Sequence, residues 1–261
     1  MKEKKTIGLC LSGGGALGFA HIGALQALEE RNIFPEYISG ASFGAIIGAL
    51  YSYGYNPLEM RYIVQEKKLY NILNIVKPTH LFRSKGFSSN KKVKRVMKEV
   101  IPVERFEDLK KKFALSLVDI AIPQWEIVSS GDKLIDSIMA SMSIPVVFEP
   151  EIDKSRILVD GGVMNNLPVE PLLEKCDRVI GIDVQNIGTT KKVIDKKTLG
   201  QRYYGAMMKE MQKHRVSLCD DYIWFPRLED YTFYDFRHYQ KIMDIGYEGT
   251  VKYLDELEKK E

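Results

Sequence analysis

Glu36-Tyr37-Ile38-Ser39-Gly40-Ala41-Ser42-Phe43-Gly44-Ala45-Ile46-Ile47-Gly48-Ala49-Leu50 reads as a short strand, a Gly-x-Ser-x-Gly turn and the start of an apolar helix. In that context Ser42 is a candidate nucleophile. Such a turn forces the serine backbone into a strained conformation, and small neighbours such as Gly40 and Gly44 let the chain bend sharply. The hydroxyl then stands at a helix N-terminus, where unpaired amides and the helix dipole favour developing negative charge. The alternative for the same five residues is an ordinary tight turn.

Working outward, Ile7-Gly8-Leu9-Cys10-Leu11-Ser12 is a strand pattern that runs into Gly13-Gly14-Gly15-Ala16-Leu17-Gly18 and then a helix. Consecutive glycines leave bare amides that can cradle an oxyanion or a phosphate. The spacing of Gly13, Gly15 and Gly18 also fits a dinucleotide fingerprint, with Glu36 near the distance of a ribose-binding acid. A third element, Arg156-Ile157-Leu158-Val159 followed by Asp160-Gly161-Gly162, delivers an acid to a turn. Asp160 can act directly as base to a serine if burial raises its pKa. The commoner meaning of Asp-Gly is a turn.

Taken together, these three motifs, in this order, resemble the patatin-like phospholipase family. The flanks agree: Ala20-His21-Ile22-Gly23-Ala24-Leu25, Ser143-Ile144-Pro145 with Phe148, and Asn165-Asn166-Leu167-Pro168. The resemblance covers about residues 6 to 186; no motif is assigned from there to Glu261. It implies a lipid or ester substrate and a Ser42–Asp160 dyad. Gly13, Gly14 and Gly15 would form the oxyanion hole, and Gly18, Gly40, Gly44, Gly161 and Gly162 the supporting turns. It further implies hydrolysis through an acyl-enzyme, without cofactor or metal. Leu17 departs from the Arg or Lys of many members, which shifts the expected substrate toward neutral esters or lysolipids. Acyl transfer with the same dyad, a nucleotide-binding oxidoreductase and a silent lipid-binding module stay open as alternatives.

The 261 residues are 45% hydrophobic and 28% charged, as expected of one α/β domain able to bury a large core. We read residues 1–261 as one domain, with 187–261 as its C-terminal helical extension. A net charge of +3 is too small to argue for nucleic acid. The basic stretch Lys85, Lys91, Lys92, Lys94, Arg95 and Lys98 reads as a solvated helix face, the alternative being a transient contact with an anionic membrane surface. Cys10, Cys176 and Cys219 match neither a metal pattern nor a disulfide framework and read as buried thiols. No apolar run approaches the ~20 residues of a membrane span, so the expected location is cytoplasmic, at most peripheral to a membrane. Oligomeric state has no signature in the sequence.

Strands are expected at 6–12, 36–40, 113–122, 125–129, 156–160, 178–184 and 222–225. Helices are expected at 18–31, 43–54, 57–67, 90–100, 132–141, 168–175, 198–218 and 238–258. This alternation predicts a three-layer α/β/α sandwich around a mostly parallel sheet, with residues 70–90 as an irregular loop or lid. Met207, Met208 and Met211 are expected to fill the core. Of the four histidines, His21 reads as structural and His214 and His238 as surface residues, which argues against a Ser-His-Asp triad.

Overall fold

The computed structural model describes residues 5–73, 91–145, 148–185 and 196–259. Among these, eight strands form one sheet: β1 (Ile7–Leu11), β2 (Tyr37–Gly40), β3 (Lys112–Asp119), β4 (Gln124–Val128), β5 (Glu151–Asp153), β6 (Arg156–Asp160), β7 (Arg178–Asp183) and β8 (Asp221–Trp224). The ladder runs β5-β6-β3-β2-β1-β7-β8, with β4 also paired to β3. β3, β2, β1, β7 and β8 are mutually parallel, and β4, β5 and β6 supply the antiparallel pairings.

Side chains alternate across a strand. In β1, Leu9 and Leu11 face the large core, while Cys10 joins a smaller cluster with Leu167, Val169, Leu172 and Val179. Helices α1 (Ala20–Glu30), α2 (Phe43–Tyr53), α6 (Leu134–Ser141) and α9 (Tyr239–Glu258) contribute to the large core. The segment around α7 (Glu170–Leu173) and the end of α8 (Lys196–Val216) lie against the other face. The central sheet is thus flanked by helices on both sides, as expected.

α3 (Pro57–Glu66) starts where sequence rules put it: Asn56 Oδ1 accepts from the Glu59 amide at 2.9 Å, and Glu59 returns the bond to the Asn56 amide at 2.8 Å. In α5 (Lys91–Val100), Val93, Val96, Met97 and Val100 are buried, and Lys91, Lys92, Arg95 and Lys98 face solvent. Lys94 pairs with Asp136 and Glu151. The solvated-face reading of this basic stretch therefore fits its described part; Lys85 lies outside the described residues.

Several expectations are corrected. The helix placed at 168–175 shrinks to the four residues of α7, which begins only after Pro168 and carries Pro171 in its first turn. β5 and α4 (Leu69–Leu73) were not anticipated, each being too short to show a period. The loop or lid placed at 70–90 lies, from 74 onward, outside the described residues. Of the three methionines assigned to the core only Met208 is buried; Met207 and Met211 are exposed. Of the three thiols only Cys10 is fully buried, and Cys176 and Cys219 are partly exposed.

The stretch without a sequence motif builds onto the same sheet and core. β8 pairs with β7, and α9 crosses α1 at two glycines. A methyl at Gly23 would stand 1.9 Å from the Met243 carbonyl oxygen, and one at Gly246 would stand 2.0 Å from that of Ala20. Only glycine on both helices permits this backbone approach.

Candidate functional site

The register of β3 brings the candidate residues together. Leu115 is matched to Gly40 on one side and Val128 on the other; Leu117 is matched to both Glu126 and Asp160. A strand residue has one neighbour per edge, so β4 occupies one edge of β3, and β2 and β6 share the other. β2 leaves this edge at Gly40 and β6, running the opposite way, arrives at Asp160 two positions further on. Ser42 and Asp160 thereby meet, although 118 residues separate them in sequence (160 − 42).

Ser42 has φ 53° and ψ −124°, a left-handed conformation that costs a non-glycine residue on the order of 1–3 kcal/mol. The surroundings enforce it. A methyl at Gly40 would lie 2.6 Å from the Gly44 carbonyl, and one at Gly44 would lie 2.4 Å from the Leu11 carbonyl oxygen. The Ser42 amide donates to Ser141 Oγ at 3.0 Å, and the Asp160 amide donates to the Ser143 carbonyl at 3.1 Å. The end of α6 thus anchors both residues. Neither serine was singled out as an anchor from sequence, since nothing in Ser141-Met142-Ser143 sets it apart from a helix terminus.

Ser42 is 5% exposed and Asp160 3%. Burial drives the Asp160 carboxyl up to a pKa of about 7, against hydrogen bonds from the Ser42 hydroxyl and the Gly162 amide that favour its charged form. The Gly162 bond measures 2.7 Å. A methyl at Gly161 would clash with Ser116, and one at Gly162 with Asn166 Oδ1, so both glycines of the acid turn are required for space.

The glycine loop lies over the serine: a methyl at Gly13 would stand 2.9 Å from Ser42 Cβ and 2.4 Å from Asn166 Oδ1. Expectation and geometry differ here, because the Gly13 amide donates to the Asn166 carbonyl at 3.2 Å. Further along, the Ala16 amide donates to the Phe233 carbonyl and the Leu17 amide to that of Gly14. The amides of Gly14 and Gly15 have no hydrogen-bond partner among the described residues. The Gly13 carbonyl accepts from Asn166 Nδ2 at 3.4 Å and from Ser12 Oγ at 3.1 Å. In a trans peptide this turns the Gly14 amide the opposite way. Gly18 fits under Phe43 with no room for a methyl, and Gly15, at φ 54°, lies against Phe233. Asn166 and Phe233 are the residues that sequence reading did not assign to the loop; the Asn165-Asn166 pair beside Asp160 was the available signal for the first.

Asn166 therefore grips the loop by both its main chain and its side chain. Replacing it with alanine should lower kcat for a short ester by roughly 10²-fold with little change in KM, the signature of lost transition-state positioning. Steady-state kinetics would check this, and an effect confined to KM would contradict it.

His21 is fully buried, and its Nε2–H donates to the Ser12 carbonyl at 2.8 Å. Burial lowers its pKa to about 4, so the ring is neutral near pH 7. His21 is thus tied to the main chain behind the loop. His214 and His238 are exposed, as expected, and His80 lies outside the described residues. Asp183, at the end of β7, is buried and takes bonds from the Gln185 amide and the Tyr222 hydroxyl, each 2.8 Å. Among the described residues no group of three or more His, Cys, Asp or Glu is placed to hold a metal ion.

The dinucleotide alternative fails on topology. Glu36 sits at the start of β2, where its amide donates to the Ile7 carbonyl, at the opposite end of the sheet from the glycine loop. A ribose-binding acid has to stand at the strand's carboxyl end, beside the loop. In this chain that end is occupied by the serine turn.

Leu17, expected to mark a missing cation beside the loop, is buried in the main core. A guanidinium there would be surrounded by apolar side chains. Leu17→Arg should accordingly cost roughly 3 kcal/mol or more of stability, read from denaturant unfolding. A fully stable variant with higher phospholipid turnover would show instead that position 17 reaches the site.

The fold is shared with solved structures. The chain is similar to VipD from Legionella pneumophila (TM-score 0.57, 15% identity, 97% of this chain and 67% of that one). It is also similar to a chain of the ExoU-SpcU complex from the type III secretion system of Pseudomonas aeruginosa (TM-score 0.51, 16% identity, 97% and 51%). A model of the family described as patatin-like phospholipase matches residues 9–173, and the chain belongs to that family. Related sequences include lysophospholipase NTE1 of Mycosarcoma maydis, 31% identical over 71% of this chain and 10% of that protein. The NTE1 of Kluyveromyces lactis is 25% identical over 98% of this chain and 20% of that protein. Mouse patatin-like phospholipase domain-containing protein 6 is 27% identical over 93% and 20%. The chain thus spans a tenth to a fifth of the length of these curated relatives.

Proposed function

We propose that the chain is a serine lipid acyl hydrolase in which Ser42 is the nucleophile and Asp160 the base. The observation that carries this reading is the Ser42 hydroxyl bonded to a buried Asp160 whose pKa is raised to about 7, on a backbone strained at φ 53°. A base works best when its pKa lies near the operating pH. In the reading, Ser42 Oγ passes its proton to Asp160 as it bonds to the ester carbonyl carbon. The carbonyl oxygen becomes an oxyanion facing the Gly14 and Gly15 amides. As the intermediate collapses, the carbon–oxygen bond to the alcohol breaks and Asp160 returns the proton to the leaving oxygen. Water then attacks the acyl-enzyme, gives its proton to Asp160, and the acid departs as Ser42 recovers its hydrogen.

Lysophospholipids and neutral esters are the proposed substrates. The lysophospholipase relatives support this choice. A cytoplasmic setting with transient membrane contact belongs to the same proposal; the three free thiols, Cys10, Cys176 and Cys219, suit a reducing compartment. Among the described residues no helix is long and apolar enough to cross a membrane. A fluorophosphonate probe tests the reading: covalent labelling of the wild type, together with turnover of lysophosphatidylcholine, is expected. An unlabelled, folded protein would overturn it.

A further inference from the structure

Helix α8 has an outer stripe that the hydrolytic reading does not use. Tyr203, Met207 and Met211, at successive i, i+4 steps, are 65%, 62% and 39% exposed, whereas Met208 and Gln212 on the inner side are buried. At ~1.5 Å rise per residue the stripe extends for about 12 Å. Lys209 and Lys213, both exposed, are two positions on from Met207 and Met211 and so stand on the opposite shoulder of the helix, with Glu210 between. Across the helix sequence, 196–216, six Lys or Arg residues stand against the single acid Glu210, which pairs with Lys213.

A further aromatic is exposed on the sheet face against which the end of α8 packs. In β8, Tyr222 points into the small cluster together with Val216 at the end of α8. Alternation along the strand puts Trp224 on that same face, and it too is exposed. Trp224 stands in register with Asp183, at the carboxyl edge of the sheet. Ser42 and the glycine loop leave the sheet along this edge, and Lys209 is close enough to Asp183 to act on its charge.

We infer that the solvent side of α8, with Tyr203, Met207, Met211 and Trp224 as apolar contacts and Lys209 and Lys213 as cations on the helix's other shoulder, docks on an anionic lipid surface. The inference rests on the lipid-hydrolase reading only in supplying a reason to approach a membrane. A helix that exposes Met and Tyr on one shoulder and lysines on the other has the character of an interfacial segment, in which apolar burial and attraction to acidic headgroups add. α5, the other basic helix, lacks this property because its valines and Met97 are all turned inward.

The test is co-sedimentation with phosphatidylcholine vesicles with and without phosphatidylglycerol. The wild type should bind the anionic vesicles more tightly, and added salt should reduce the difference. The triple variant Tyr203→Ser, Met207→Ser, Met211→Ser should bind at least about tenfold more weakly. Lys209→Glu with Lys213→Glu should abolish the preference for phosphatidylglycerol. These side chains are solvent-facing, so both variants should hydrolyse a soluble p-nitrophenyl ester at the wild-type rate, and Ser42→Ala should still bind vesicles. Wild type that binds neither vesicle, or a triple variant that binds like wild type, would overturn the inference. So would a triple variant that loses soluble esterase activity, or one whose only change is loss of a dimer by light scattering. Ester hydrolysis without vesicle binding would refute docking alone, and vesicle binding without any hydrolysis would refute the enzymatic reading alone.

Discussion

Ser42→Ala should abolish both fluorophosphonate labelling and hydrolysis of short p-nitrophenyl esters, by at least about 10³-fold, while leaving the fold intact. The strained φ of 53° belongs to the turn and not to the hydroxyl, so alanine in the same conformation keeps the connection from β2 to α2. Circular dichroism and thermal melting would establish that the fold is retained. Labelling of Ser42→Ala at the wild-type level would place the nucleophile elsewhere.

Asp160→Asn carries the second large effect, with consequences in activity and in stability. A base with a pKa of about 7 must be ionised to accept the serine proton. Wild-type kcat/KM should therefore rise with pH and level off above about 7, whereas the asparagine variant should be flat and lower by roughly 10³-fold. Single changes of His21, His214 or His238 to Gln should leave most of the activity. One of them proving as indispensable as Ser42 would replace the dyad by a triad.

For stability, the folded-state pKa of Asp160 lies above the reference of ~3.9, so the folded protein holds this proton more tightly than the unfolded chain. The resulting stabilisation is complete below pH ~4 and is lost as pH rises through about 7. Asp160→Asn should thus raise the melting temperature relative to wild type at about pH 8, and change it little at about pH 4. An unchanged melting temperature at both values would mean that Asp160 is not strained by burial.

The parts legible in the sequence were those written in local code. The strand–turn–helix around Ser42, the glycine run and the Asp160 turn each carry small residues that space requires, such as Gly44 against the Leu11 carbonyl. The parallel strands are apolar runs, and α5 displays its period openly, with Val93, Val96, Met97 and Val100 inward. What the sequence could not display was non-local. The sharing of one edge of β3 by β2 and β6 depends on register between distant segments. The engagement of the Gly13 amide depends on Asn166, and the anchoring of Ser42 on Ser141. Met207 and Met211 were misjudged because residue type suggests burial, while exposure depends on which way α8 is turned.

The contact between Phe233 and the glycine loop bears on when the protein becomes competent. The Ala16 amide is held by the Phe233 carbonyl, and α1, which leads away from the loop, is held by α9. Ser42 and Asp160 therefore emerge from the ribosome well before the segment that fixes the proposed oxyanion receptor. The glycine loop thus takes its final form only when residues 233 to 258 have been made and have folded back onto the first helix.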